Sequence, residues 1–195
     1  YAESLLWNSE YDTAKMAYQQ LIAQDSTSFS ALLGYANTLS NLKEYDHAID
    51  YVERALAVKP GNANAVTSKK YMFLGKASQL ASNEEYDQAS QLLHSLLLTS
   101  PLDQDLKAAL ANIYIAQKDF SNARATYSAL TDSLNVFVGL SLVAHFQKNE
   151  VQALEYAQKG LAFAKADTTR LLVAQERYAQ ALIWKGKYPV ARKYI

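Results

Sequence analysis

The stretch KEYDHAIDYVERALAVKPGN, residues 43–62, decides the fold. Tyr45, Ala48, Ile49, Val52, Ala55 and Leu56 recur at steps of three and four, which places them on one face of a helix. Pro60 and Gly61 end that helix, and Asp46 is placed to cap it or to sit as an acid in its first turn. Just upstream, SALLGYANTLSNL carries Leu32, Tyr35, Ala36, Leu39 and Leu42 on a second apolar face. The local unit is therefore helix, short turn, helix. With three prolines, six glycines and no alternating runs of β-branched residues, strands have no support.

The phrase EYDHA inside the opening stretch recurs along the chain. EYDTA occupies residues 10–14 and EYDQA residues 85–89, and looser copies follow as DFSNA (119–123), NEVQA (149–153) and KYPVA (187–191). Their alanines, Ala14, Ala48, Ala89, Ala123, Ala153 and Ala191, are separated by 34, 41, 34, 30 and 38 residues. A period of about 35 is that of a helix-turn-helix repeat array, in which each unit buries its apolar face only against its neighbours.

On these residues the chain resembles the tetratricopeptide repeat (TPR) family over nearly its whole length. The family pattern falls in residues 29–62 on Leu32, Tyr35, Ala36, Leu39, Tyr45, Ala48, Val52, Ala55 and Pro60. A third copy carries it on Phe73, Ala77, Leu80, Tyr86, Ala89, Leu93, Leu96 and Pro101, and a fourth on Leu110, Ala111, Tyr114, Phe120, Ala123, Tyr127 and Leu130. Asn135 stands where the fourth closing proline belongs; in the fifth, Ser141 and Gly160 take small-residue positions and Val151 replaces the aromatic. The small residues let paired helices approach, and Tyr45, Tyr86, Phe120 and Tyr188 fill gaps between units. The resemblance implies an all-α, right-handed solenoid of about five to six antiparallel helix pairs across residues 1–195. The units expected are 1–28 (partial), 29–62, 63–103, 104–133, 134–167 and 168–195 (partial). Tyr1 falls inside a first helix and Ile195 inside a helix that begins near Pro189, so a fragment of a longer chain is expected.

The uneven spacing carries further expectations. Seven extra residues near NANAVTSKK predict about two more turns on the next helix. The shortfall at LTDSLN predicts a tight turn, and AKADTTRLL offers four extra residues with a threonine as helix cap.

Composition narrows the function. Lys plus Arg and Asp plus Glu are 19 each, which removes the positive field that nucleic acid or an anionic membrane surface requires. With no cysteine, thiolate metal sites, disulfides and cysteine nucleophiles are excluded. No apolar run approaches the roughly 20 residues of a spanning helix. His47, His94 and His145 include no i,i+3 or i,i+4 pair. No phosphate-binding glycine loop, nucleophile elbow or H-E-x-x-H occurs. The reading is a non-enzymatic protein with no cofactor and no metal.

In TPR arrays the first helix of each unit lines the inner groove. The resemblance places Glu3, Leu6 and Trp7 there in the first copy, then Ser30, Leu33, Asn37, Ser40 and Asn41, then Tyr71, Leu74, Ser78 and Ser82. Asp105, Ala108, Asn112 and Ile115 follow, then Val138, Leu142 and His145, and finally Glu176, Gln180, Ile183 and Trp184. The candidate binding set is Asn37, Asn41, Tyr71, Ser78, Asn112, His145, Gln180 and Trp184. Asn37 and Asn112 hold a position from which a family asparagine grips peptide backbone. Chaperone-tail binders carry basic residues where this chain has Leu33, Leu74, Ala108 and Val138, which disfavours an acidic C-terminal peptide. A neutral groove suits an extended peptide, a partner helix or a glycan. The expectation is a protein-binding scaffold; the alternative is the structural repeat arm of a bacterial envelope or polysaccharide-export assembly. Trp7 and Trp184 could equally pack against missing neighbouring repeats of a longer chain, and self-association through exposed repeat ends is a further expectation. A surface rich in Tyr, Ser, Gln and Asn leans toward an extracytoplasmic site such as the periplasm.

Overall fold

The computed structural model describes residues 1–164 and 167–195. Among them every regular element is an α-helix and none is a strand. The helices are α1 (Ala2–Trp7), α2 (Tyr11–Gln24), α3 (Phe29–Asn41), α4 (Tyr45–Val58), α5 (Ala63–Ser82) and α6 (Tyr86–Thr99). They continue with α7 (Gln104–Ala116), α8 (Phe120–Ser128), α9 (Ser133–Phe146), α10 (Glu150–Ala164), α11 (Thr168–Trp184) and α12 (Tyr188–Ala191). They form two compact units, Tyr1–Leu92 and Leu93–Ile195, divided within α6.

Within the first unit α1 packs on α2, α2 on α3, α3 on α4 and α4 on α5; α1, α3 and α5 also touch in succession. Within the second, α7 to α12 follow the same order, and α7, α9 and α11 touch in succession. Among the described residues α2 does not approach α4, nor α8 α10. In each unit the odd-numbered helices therefore form one continuous layer, flanked by even-numbered helices that splay apart. The repeating alanines are the reason the pairs close so tightly. Ala14, Ala48, Ala89, Ala123, Ala153 and Ala191 are none more than 1% exposed, and Ala36, Ala77, Ala111 and Ser141 are equally buried. Ser141 adds a hydroxyl that donates to the Ala153 carbonyl at 2.8 Å.

Among the described residues the turn between paired helices is the same in each of the six helix pairs. Each ends its first helix with a residue of left-handed φ: Ser9, Lys43, Glu84, Lys118 and Lys148 at 61–63°, and Gly186 at 76°. The following N–H, from Glu10, Glu44, Glu85, Asp119, Asn149 or Lys187, reaches back to the carbonyl five residues earlier at 2.8–2.9 Å. This is a Schellman closure, which satisfies helix-end carbonyls that would otherwise be orphaned.

A second device couples neighbouring repeats. Tyr18 of α2 lies over Gly34 of α3, Tyr45 of α4 over Gly75 of α5, and Tyr127 of α8 over Gly139 of α9, each ring occupying the space a Cβ would need. Phe120 packs, half-buried, in the second unit's core. Tyr188, expected to fill a gap between units, is 60% exposed.

The spacing irregularities fall mostly inside helices. α5 has 20 residues where α3 and α7 have 13, which supplies the two extra turns expected after Asn62. The shortfall at LTDSLN is not a tighter turn. Residues 129–132 link α8 to α9 with as many residues as 25–28 and 59–62 use elsewhere, and α8 itself is short, at 9 residues against 14 for α4. The added length after α10 extends α11 to 17 residues. Its cap is Asp167, not a threonine: the Asp167 carboxylate accepts from the Thr169 and Arg170 N–H groups at 3.0 and 3.1 Å. The rest of that expected insertion, residues 165–166, lies outside the described residues. Pro189 sits in the first turn of α12, where its missing N–H is harmless. Helix α12 stops at Ala191, so Ile195 is not helical as expected. The Lys193 and Tyr194 N–H groups bond three residues back rather than four, a tightening typical of helix ends.

Candidate binding faces

The layer of odd-numbered helices positions every candidate side chain. In the first unit α1, α2 and α3 bound an open cleft of about 420 Å³, and Glu3, Leu6, Trp7, Ser30, Leu33 and Asn37 all line it. These six came from two separate copies of the repeat, and the fold brings them to one place. Trp7 is 79% exposed at the cleft mouth. Asn37 is half-buried, and its carbonyl accepts from the Asn41 side-chain amide at 2.8 Å, which ties Asn41 back to its own helix. Tyr71 and Ser78 stand exposed on α5, away from this cleft; the Lys70 ammonium lies 5.2 Å from the Tyr71 ring centre.

In the second unit Asn112, His145 and Trp184 are already engaged by other side chains. The Tyr127 phenol donates to Oδ1 of Asn112 at 2.5 Å. Tyr127 is only 4% exposed, and burial pushes its phenol up to about 12, opposed by the nearby Arg177 charge. It therefore stays a donor near neutral pH and fixes the Asn112 amide with its NH₂ turned away. The His145 and Trp184 rings stack face to face, with centres 3.6 Å apart and planes 4° apart. Nδ1 of His145 lies 3.0 and 3.1 Å from the Glu150 carboxylate oxygens. One face of Trp184 is thus covered by His145 of the preceding helix pair.

Gln180 lines a smaller cavity of about 120 Å³ with Val138, Val173, Glu176 and Arg177. Reasoning from sequence passed over Arg177. It sits 14 residues before Ala191, the same offset as Gly34 before Ala48, Gly75 before Ala89 and Gly139 before Ala153, so alignment of the repeats would have singled it out. Its Nε is buried without a hydrogen-bond partner, and its guanidinium carbon lies 5.8 Å from the Trp184 ring centre. Burial holds that guanidinium below its ordinary pKa, countered first by Glu176 and then by Tyr127.

The remaining histidines make local contacts: His47 lies beside Glu44 at 3.7 Å, and a ring nitrogen of His94 is 3.0 Å from the Tyr114 hydroxyl. Among the described residues no cluster of three or more His, Asp or Glu side chains is gathered as a metal would need.

A family model, tetratricopeptide repeat, matches residues 5–69 and 80–135, more than half of the chain. The chain belongs to the tetratricopeptide repeat family. Solved TPR structures match its fold. One is a TPR protein from Parabacteroides merdae, with a TM-score of 0.66 at 13% identity, covering 99% of this chain and 74% of that one. A thermophilic TPR protein of Thermus thermophilus matches with a TM-score of 0.56 at 20% identity, over 93% and 95% of the two chains. YrrB, a TPR protein with an unusual peptide-binding site, matches with a TM-score of 0.53 at 20% identity, over 90% and 88%. At these identities the likeness is one of fold. No curated protein matches the sequence. TPR proteins are in general non-catalytic scaffolds that bind other proteins, and the present chain shares their helical-repeat solenoid architecture. Among the described residues no helix is long and apolar enough to cross a membrane.

Proposed function

We propose that this TPR chain is a non-enzymatic scaffold that binds an extended peptide or a helix along the face formed by its odd-numbered helices. The observation that carries this reading is the convergence of Glu3, Leu6, Trp7, Ser30, Leu33 and Asn37 on one open cleft. That cleft combines apolar walls with a few polar groups, the composition that peptide grooves use for affinity and register. The succession of contacts from α1 to α3 to α5, with no contact between α2 and α4 among the described residues, supports reading the odd-numbered face as the inner one. YrrB, which shares the fold, has a peptide-binding site of its own.

The test is affinity capture from source-cell extract with residues 1–195 as bait, beside an Asn37→Ala, Gln180→Ala variant. Asn112 is left intact because its loss would strand the buried Tyr127 hydroxyl. A protein held by the parent and lost by a variant of unchanged circular dichroism and unfolding midpoint is the expected result. Equal retention by both would refute binding at these residues and favour the structural-arm reading, with contacts on the even-numbered helices.

A further inference from the structure

We propose that Arg177, Glu176 and Gln180 form a subsite for a neutral primary carboxamide, the end of an Asn or Gln side chain presented by a partner. The proposal starts from a missing partner. Buried donors are almost always satisfied, so the enclosed Arg177 Nε, which has no acceptor, calls for an explanation, and the same side chain lines a cavity with Glu176 and Gln180. An acceptor placed in that cavity would lie against the Arg177 side chain.

The surroundings define which acceptor. Glu176 lines the same cavity and offsets the Arg177 charge, so the pair sums to zero. A carboxylate ligand would gain from Arg177 and be repelled by Glu176. A carboxamide suits both, because its oxygen accepts from the guanidinium while its NH₂ donates to the carboxylate. Gln180 offers a further donor and acceptor at the rim, and Val138 and Val173 wall the cavity with methyl groups suited to the ligand's methylenes. A volume of about 120 Å³ is the space of about four water molecules at about 30 Å³ each. It admits the end of a side chain. The Trp184 ring, held flat by His145, lies beside the guanidinium and limits its movement. The subsite rests on the groove reading only in that a partner must bring the amide to it.

The arginine Nε–H signals report on the site directly, and Arg54, Arg124, Arg170, Arg177 and Arg192 are few enough to assign, with Arg177→Lys identifying the relevant one. The chain of residues 1–195 is titrated in separate ¹⁵N correlation experiments with acetamide, acetate and N-methylacetamide, isosteres that differ in charge and in amide type. Expected is a saturable shift of the Arg177 signal with acetamide, and at least tenfold weaker responses to the other two. In Glu176→Ala, at an exposed position, the order of acetamide and acetate should reverse. Acetate binding as tightly as acetamide to the parent would make this an anion site and overturn the proposal. N-methylacetamide binding as tightly would replace a side chain with backbone, and no saturable shift would leave Arg177 as packing alone; either result overturns it too. Because the readout needs no natural partner, these failures are separable from a failed capture experiment.

Discussion

Replacing Gly139 with alanine tests the tyrosine-over-glycine coupling, and replacing Gly160 with alanine supplies the opposite sign within the same helix pair. A methyl on Gly139 would fall on Cδ1 and Cγ of Tyr127, well inside the 3.0 Å that real Cβ contacts respect. Cγ is the root of the ring, so rotation about χ2 cannot clear it, and relief requires a change of χ1 or a shift of the helix. Any such shift also pulls the phenol from Asn112. Overpacking of this kind costs about 1–3 kcal/mol and a neutral hydrogen bond about 0.5–1.5 kcal/mol, against about 1 kcal/mol gained from alanine's helix propensity. The net expectation is a loss of about 2 kcal/mol. At Gly160 a methyl would meet Phe137 Cβ at 3.4 Å and Leu134 Cδ1 at 3.5 Å, ordinary contact distances, so the propensity term survives and stability should rise by about 0.5–1 kcal/mol. Urea unfolding followed by circular dichroism reads both, with unchanged slopes required for the comparison. In a Tyr127→Ala background the Gly139→Ala penalty should vanish, since the clash has no partner. A Gly139→Ala midpoint at or above the parent's would refute the coupling.

Three further expectations use the same assay. Lys118→Gly should stabilise by about 0.5–1 kcal/mol, because Lys118 holds φ at 62° where glycine is unstrained; a loss would mean that its side chain matters more than its backbone. Asp167→Ala should cost about 1 kcal/mol while Thr168→Ala leaves the midpoint unchanged, and the reverse order would restore the threonine cap. Tyr127 has a folded-state pKa of about 12 against about 10 unfolded, so its contribution is fully present below pH 10 and is lost as pH rises through 12. Two units at about 1.36 kcal/mol each give a fall of about 2.7 kcal/mol over that range, which Tyr127→Phe should remove; parallel pH profiles would contradict the burial argument.

The helix pairs were legible because their packing depends on a residue type, alanine, repeated at a fixed offset. The turns were less so. Five of six Schellman closures use Ser, Lys or Glu at the left-handed position, and without glycine there is no local signal to read. The shortening at residues 119–133 was visible as a changed spacing, but spacing cannot say whether helix or turn gives up the residues; the conserved four-residue link leaves α8 to absorb them. At Asp167 the competing candidates, an aspartate followed by two threonines, all cap helices well, and only backbone geometry decides among them. The groove positions could be numbered from the repeat, yet Trp7 stands free while Trp184 lies under His145, a difference made by neighbours far away in sequence.

Arg177 separates what the repeat needs for stability from what it keeps for another reason. Where Gly139 accepts a tyrosine from α8, the matching site on α11 carries a guanidinium whose Nε is buried and unsatisfied. An unpartnered buried donor costs about 1–3 kcal/mol, and apolar replacements of buried charges are often neutral or stabilising. Methionine keeps an unbranched stem against Val138 and Val173 and removes both the charge and the orphaned N–H. Arg177→Met should therefore leave the unfolding midpoint unchanged or raise it by the equivalent of about 1 kcal/mol, while abolishing any acetamide response. A loss of 2 kcal/mol or more would show that Glu176, Tyr127 and Trp184 compensate the guanidinium fully, and the position would then be one of structure rather than recognition.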